Sequence, residues 1–145
     1  MPESWIIYGL LAALFFGANA VVYKVAAVNG QLDPFYASLV FGVGIMASLI
    51  VAYAFKFSAP TLNVKWLGLL IFAGVLWGLG YLMVALAISH NADIAKLAPI
   101  YNTNTLVAVA LGIIVLKELP SAAAAWRIVL GAVLIVAGSV LVSLK

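Results

Sequence analysis

The chain has 145 residues, of which 68% are hydrophobic and 8% are charged, and its formal net charge is +3. Soluble domains carry roughly 25% charged residues, so this composition excludes an ordinary soluble protein and indicates a polytopic membrane protein. The positive charge then belongs to loops beside phospholipid rather than to a nucleic-acid interface. The chain has no cysteine, which excludes disulfides, thiolate catalysis and cysteine metal sites.

Five apolar stretches are long enough to cross a bilayer, which takes roughly 20 residues per helix. They cover residues 5–28, 35–55, 66–88, 94–116 and 123–143. We therefore expect an all-α bundle of five transmembrane helices in a single domain over residues 1–145, with antiparallel neighbours because the connections are short. An odd number of spans puts the two termini on opposite sides of the membrane. The first stretch is expected to be a retained span, since no Lys or Arg precedes it as in a signal peptide.

Turn and capping residues mark several helix ends. Asn29 and Gly30 are expected to end the first span. Asp33 is predicted to be the N-cap of the second span, with Pro34 at its first helical position. Either Asn91 or Asp93 is expected to cap the fourth span.

The positive charges are almost evenly divided between the two sides of the predicted bundle. Lys56, Lys65, Lys117 and Arg127 fall on the N-terminal side, and Lys24, Lys96 and Lys145 fall on the opposite side. An excess of Lys and Arg marks the cytoplasmic face. Four against three predicts either a weak preference for a cytoplasmic N-terminus or insertion in both orientations, with inverted copies pairing as in many transporters.

Small residues recur at helical spacing in four of the spans, where they permit close approach of helices. The stripes are Gly9, Ala13 and Gly17; Gly74 and Gly78; Ala108 and Gly112; and Gly131 and Gly138. We expect them to mediate contacts within one chain; contacts between chains are the alternative.

Polar side chains at membrane depth are expensive and are therefore the first candidates for a site. Asn19 lies near the middle of the first span, where it binds either a substrate or a neighbouring helix. Lys24 lies near the end of that span. It either meets an anionic substrate group or extends its amine to the membrane surface.

The fourth span has the richest polar pattern. Pro99 removes a backbone hydrogen bond and is expected to kink the helix. Hydrogen-bonding side chains occupy residues 101–105, and Asn102 and Thr103 share the face of Pro99. We interpret this group either as a ligand-binding wall or as a set of interhelical hydrogen bonds. In the third span, Tyr81 adds an aromatic wall or serves in packing.

Other chemistry is disfavoured by what the predicted spans lack. No Asp or Glu lies inside any of them, which argues against a proton-coupled carrier built around a mid-helix carboxylate. No pair of residues forms a nucleophile with its base, and no residues cluster as metal ligands. An enzyme, a metal site and a cofactor are therefore not expected.

Two segments resemble the drug/metabolite transporter superfamily of the EamA type. Residues 16–24, Phe-Gly-Ala-Asn-Ala-Val-Val-Tyr-Lys, are similar to the first-span Trp-Gly-Ser-Asn…Lys pattern of that family, with Phe16 in place of Trp. The family's closing pattern is similar to Pro99, Gly112, Glu118, Gly131, Leu134-Ile135 and Gly138. The resemblance covers essentially the whole chain as one five-span unit. Departures are Lys117, where Gly is frequent, and a longer interval from Glu118 to Gly131.

The resemblance implies half of a ten-span carrier that moves small metabolites or amphipathic organics by alternating access. A single unit would then pair, most simply as an antiparallel homodimer in the cell membrane. The residues implied for the substrate cavity are Asn19, Lys24, Tyr81, Asn102 and Thr103. Pro99 and Glu118 are implied as structural or gate residues, and Glu118 is expected to pair with Lys117, Arg127 or another loop. The alternatives are a non-transporting membrane subunit and, third, a lipid-handling protein.

Overall fold

A computed structural model of the chain describes residues 4–55, 64–118 and 122–143. In these residues the backbone forms six helices and no strand. They are α1 (Ser4–Asn29), α2 (Pro34–Phe55), α3 (Val64–Ser89), α4 (Ile94–Tyr101), α5 (Asn104–Ile114) and α6 (Ala122–Ser143). The cations Lys56 and Lys145, whose sides of the membrane were predicted above, lie outside the described residues.

Five segments of these helices are long and apolar enough to cross a membrane. They are Ile6–Asn29, Pro34–Phe55, Val64–Ser89, Ile94–Ile114 and Ala125–Val142. The predicted all-α bundle with five spans is therefore confirmed, and the predicted boundaries agree to within a few residues. The fourth span consists of α4 and α5 in succession, because the helix breaks between them.

The chain divides into two compact units, the first ending at Asn91 and the second beginning at Ala92. In the first unit α3 packs against α2, and α1 lies against both. In the second unit α4 packs against α6. Very little of either unit is fully buried: the buried apolar side chains of the described residues are Ala20, Tyr23, Ala37, Ala85 and Ile88.

The turn from α1 to α2 follows the predicted capping pattern. The Asp33 carboxylate accepts hydrogen bonds from the backbone N–H groups of Phe35 and Tyr36, each at 3.0 Å, and α2 begins at Pro34. At the end of α1, Leu32 N–H donates to the Ala27 carbonyl at 3.0 Å and Gln31 N–H donates to the Val28 carbonyl at 3.1 Å. This is the Schellman arrangement.

The left-handed residue of that turn is Gln31, with φ of 49°, rather than the neighbouring glycine. Gly30 is needed for space, because a Cβ there would lie 2.6 Å from the Ala26 carbonyl oxygen. The end of α3 is similar: Asn91 has φ of 63° and donates its N–H to the Ile88 carbonyl at 3.0 Å. Asp93 is the N-cap of α4, but its side chain makes no capping hydrogen bond.

Most glycines of the small-residue stripes contact no other helix of their own unit. A Cβ built on any of the following would meet no heavy atom within 4 Å: Gly9, Gly17, Gly74, Gly78, Gly131 and Gly138. The exception among the stripe glycines is Gly112, where a Cβ would lie 3.2 Å from Glu118 Oε2. Helical spacing gives the position of a stripe but not the helix that faces it.

Candidate functional site

Four aromatic rings from three helices form one cluster in the first unit. This aromatic cluster consists of Tyr23 of α1, Phe41 of α2, and Trp77 and Tyr81 of α3. Tyr81 stacks on Phe41 with 4.2 Å between ring centroids and on Trp77 with 5.4 Å. Tyr23 meets the Tyr81 ring edge-on at 5.1 Å. These are favourable aromatic geometries, so Tyr81, a predicted cavity residue, also has a packing role.

Tyr23 connects the aromatic cluster to Ser38, near the start of α2. Its side chain is 7% exposed, and its hydroxyl lies 3.4 Å from Ser38 Oγ. Since the Ser38 hydroxyl donates its hydrogen to the Pro34 carbonyl at 2.7 Å, the Tyr23 hydroxyl is the donor to Ser38. The polar end of this tyrosine is thereby satisfied inside the bundle.

The two polar residues predicted in the first span lie close to this cluster along α1. Asn19 is half-buried and precedes Tyr23 by four residues, so both occupy the same face of the helix. Lys24 is half-buried in the penultimate turn. Asn19 and Tyr81 therefore belong to one unit, and Asn19 lies one turn of α1 away from the ring that Tyr81 contacts.

In the second unit, the fourth span breaks after Pro99, which itself lies inside α4. Asn102 N–H still donates to the Ala98 carbonyl at 3.0 Å, but Thr103 N–H donates to the Ile100 carbonyl at 3.2 Å. In a regular α-helix the Thr103 N–H would donate to the Pro99 carbonyl, four residues earlier. Because it donates to Ile100 instead, the Pro99 carbonyl has lost its usual backbone donor. The break thus falls at Asn102 and Thr103, a few residues beyond the proline.

The polar side chains at the break differ in their hydrogen bonding. Thr103 Oγ1 donates to the Ile100 carbonyl at 2.7 Å, and Thr105 Oγ1 donates to the Asn102 carbonyl at 2.9 Å. Both threonine hydroxyls are therefore satisfied by their own span. The side-chain amides of Asn102 and Asn104 are exposed and form no hydrogen bond within the described part of the chain. Two amides thus remain near the middle of a membrane span.

Ser139 of α6 is a functional candidate that the sequence analysis missed. Its hydroxyl lies 2.9 Å from the Pro99 carbonyl oxygen and 2.8 Å from the Ile135 carbonyl oxygen, and the side chain is 7% exposed. Its single hydrogen is shared between these two carbonyls, and it gives the Pro99 carbonyl a donor in place of the N–H lost at the break. The sequence does contain a feature that could have identified it: Ser139 is the one polar residue between Arg127 and Ser143 in the last span. Polar side chains are rare at that depth in a membrane.

Glu118 closes the fourth span by folding back on it. Its backbone N–H donates to the Gly112 carbonyl at 3.1 Å, and its Oε2 lies over the same glycine. Lys117, with φ of 57°, makes the turn that allows this. In the described chain Glu118 forms no ion pair with Lys117 or Arg127, whose guanidinium lies 5.5 Å from the Trp126 ring centroid.

The predicted site residues are divided between the two units. Asn19, Lys24 and Tyr81 belong to the first, whereas Pro99, Asn102, Thr103 and Glu118 belong to the second. Over residues 4–55, 64–118 and 122–143, no group of three His, Asp or Glu side chains is arranged to hold a metal ion. The chemistry available is therefore hydrogen bonding by neutral groups, aromatic contact, and the positive charge of Lys24.

Comparison with known proteins agrees with these features of the chain. Neither the curated proteins nor the solved structures include a match. A family model described as the EamA-like transporter family matches residues 3–144, which is nearly the full length of the chain. Together with the five spans, this match identifies the chain as an integral membrane protein that belongs to the EamA-like transporter family.

Proposed function

We propose that this protein is a half-size secondary transporter or facilitator of small metabolites or amphipathic organic molecules. It works by alternating access as a dimer in the cell membrane and catalyses no covalent chemistry. Family membership supports transport in general. The observation that carries the finer proposal is the broken fourth span, where the exposed amides of Asn102 and Asn104 have no hydrogen-bond partner among the described residues.

The energetic argument concerns what surrounds those amides. An amide moved from water to hydrocarbon without a hydrogen-bond partner costs roughly 2–7 kcal/mol. Two amides facing lipid would therefore oppose insertion of this span by an amount comparable to the stability of a whole domain. A water-filled cavity that a polar solute can enter removes this cost, and discontinuous helices are the usual walls of such cavities.

The predicted cavity residues provide complementary chemistry for an amphipathic solute. Asn19, Asn102 and Thr103 offer neutral donors and acceptors, Tyr81 offers an aromatic surface, and Lys24 offers a positive charge. No acidic side chain lies inside the described spans, so neutral and anionic solutes fit this set better than cations. The bound solute is recognised in part by amide hydrogen bonds, which give specificity in an apolar pocket.

The dimer proposal is supported by the open glycine faces. A Cβ built on Gly9, Gly17, Gly74 or Gly78 would meet no heavy atom of the described chain within 4 Å. Such glycine positions favour close helix contacts in membranes. One five-span unit provides half of the walls of a two-fold pathway. The near-even division of cations supports an antiparallel pair, in which each copy supplies one half.

A non-transporting membrane subunit is the alternative. The observation that favours it is the aromatic cluster, where the Tyr81 ring is stacked on Phe41 and Trp77 as in a packed core. The two functions differ in what covers Asn102 and Asn104: water and solute in a transporter, and side chains of a partner protein in a subunit.

A ligand screen followed by uptake measurement tests transport directly. Purified protein is heated with a panel of neutral, anionic and cationic metabolites, and a specific ligand is expected to raise the melting temperature by mass action. The same ligand should then enter proteoliposomes containing the protein faster than empty liposomes. A ligand that binds without entering would support the subunit, as would a failure of the whole panel together with copurification of a partner protein.

Insertion in both orientations is tested with reporters fused after Lys145. Because four cations oppose three, we expect about equal labelling from the two sides of the membrane. Removing one charge should then bias the orientation. The single variants Lys65→Gln and Lys96→Gln should bias it in opposite directions, because the two lysines lie on opposite sides of the membrane. Strictly one-sided labelling of the unmodified chain would exclude the antiparallel homodimer.

A further inference from the structure

A small cavity lies in the first unit where α1 and α3 end, on the membrane side opposite the N-terminus. Its volume is about 220 Å³, below the roughly 300–1,000 Å³ of pockets for drug-sized ligands. Ala85 and Ile88 form part of its apolar wall, Tyr23 lies at its inner side, and Gln31, Ser89 and Asn91 supply its polar groups. We call this cavity the boundary pocket.

The charge environment of the boundary pocket is set by two helix ends. Residues at the ends of both α1 and α3 line it, and neither helix has a basic residue in its last turn. Each helix C-terminus carries about half a negative elementary charge. Lys24, the nearest cation along α1, is not a lining residue, and the Asp33 carboxylate is engaged as the cap of α2. The His90 ring also lies outside the lining, with its Nδ1 2.7 Å from the Leu86 carbonyl oxygen near the end of α3. The pocket therefore favours a cation over an anion.

The polar groups of the boundary pocket add hydrogen-bond acceptors. Gln31 and Asn91 both occupy left-handed positions that end their helices, and their exposed side-chain amides form no hydrogen bond within the described chain. Each amide oxygen is an acceptor with two lone pairs. The Ser89 hydroxyl donates to the Leu86 carbonyl at 2.7 Å, so its oxygen retains acceptor capacity towards a ligand.

We propose that the boundary pocket binds a primary ammonium group on a short apolar stem. The ammonium donates hydrogen bonds to the amide oxygens of Gln31 and Asn91 in the field of the two helix ends, and the stem contacts Ala85 and Ile88. Because the pocket lies where two membrane spans end, the ammonium belongs either to an ethanolamine headgroup or to a free amine. This binding is independent of transport and of the dimer.

Binding is tested on the full chain in a neutral detergent by calorimetry with three matched probes: n-butylammonium, butanol and butyrate. We expect saturable binding of butylammonium and at least about tenfold weaker binding of the other two. Equal binding of all three would show an apolar crevice without charge selection and would overturn the proposal, as would absence of butylammonium binding when no ethanolamine lipid is retained either.

The matched variant is Gln31→Gly with Asn91→Gly, which removes both amides at positions where glycine adopts the required φ without strain. Its melting temperature should equal or exceed that of the unmodified protein, while its affinity for butylammonium falls about tenfold or more. Ser48→Ala, in the middle of α2 and not lining the pocket, is the control and should bind normally. Unchanged affinity in the double variant would overturn the proposal.

The two sources of the ammonium are distinguished in nanodiscs. One set contains phosphatidylcholine alone and the other an equal mixture with phosphatidylethanolamine, and the retained lipids are counted by native mass spectrometry. Retention of the ethanolamine lipid by the unmodified protein, and its loss in the double variant, assigns a headgroup. Butylammonium binding without such retention assigns a free amine.

Discussion

Replacing Asn102 with leucine is expected to reduce substrate uptake by about ten- to a hundredfold while the protein remains folded. The amide at this position is exposed at the break in the fourth span and has no partner in the described chain. Losing it leaves a polar group of the bound substrate unpaired, which costs roughly 1–3 kcal/mol. Leucine is a good helix former of similar size, so insertion and folding should persist. Uptake into proteoliposomes, with melting temperature recorded beside it, measures both effects.

Two control variants separate recognition from a general disturbance of the fourth span. Asn102→Gln keeps an amide and should retain part of the activity. Ile100→Leu changes an exposed apolar side chain of the same helix and should transport normally. Uptake by Asn102→Leu at the unmodified rate would remove this residue from the cavity, and equal losses in all three variants would indicate that the helix break itself had been disturbed.

Replacing Ser139 with alanine is expected to lower the free energy of unfolding by about 1–3 kcal/mol, the cost of leaving the carbonyl of half-buried Pro99 unsatisfied. The Ser139 hydroxyl is the donor that reaches the Pro99 carbonyl from α6. Ser139→Thr keeps a hydroxyl and should lose much less. Denaturant unfolding in mixed micelles measures the free energy of unfolding of the unmodified protein and of both variants under one set of conditions.

An isosteric pair of variants separates this hydrogen bond from simple packing of Ser139. Ser139→Val has nearly the shape of Ser139→Thr but no hydroxyl, so it should lose stability about as Ser139→Ala does. A loss as small as that of Ser139→Thr would mean that the hydroxyl does not stabilise the break.

Much of the fold was predictable because membrane spans obey strong local rules. Length and hydropathy give the five spans, since the bilayer requires continuous apolar helices. The cap at Asp33 and the start of α2 at Pro34 followed from residue chemistry alone. The position of the break at Asn102 and Thr103 did not, because Pro99 predicts a missing hydrogen bond but not where the backbone resumes its regular path.

Contacts between spans were much less predictable. The spans are apolar nearly all the way around, so their sequences do not indicate which face meets which helix. The glycine stripes were expected to contact helices of the same chain and are open within their units. Ser139 was missed because its partner, Pro99, lies 40 residues earlier. The cluster of Tyr23 with Tyr81 likewise depends on a three-dimensional arrangement of three helices.

The unequal lengths of the helices have a consequence for the choice of host membrane. α1 and α3 have 26 residues each and α2 has 22, which at 1.5 Å per residue gives roughly 39 Å and 33 Å. The hydrocarbon layer of an average bilayer is about 30 Å thick, and surplus helix is accommodated by tilting or by local thickening. Bilayer thickness therefore helps to determine whether the ends of α1 and α3 are surrounded by headgroups or by bulk water. Acyl-chain length thus becomes an experimental variable in its own right for this protein.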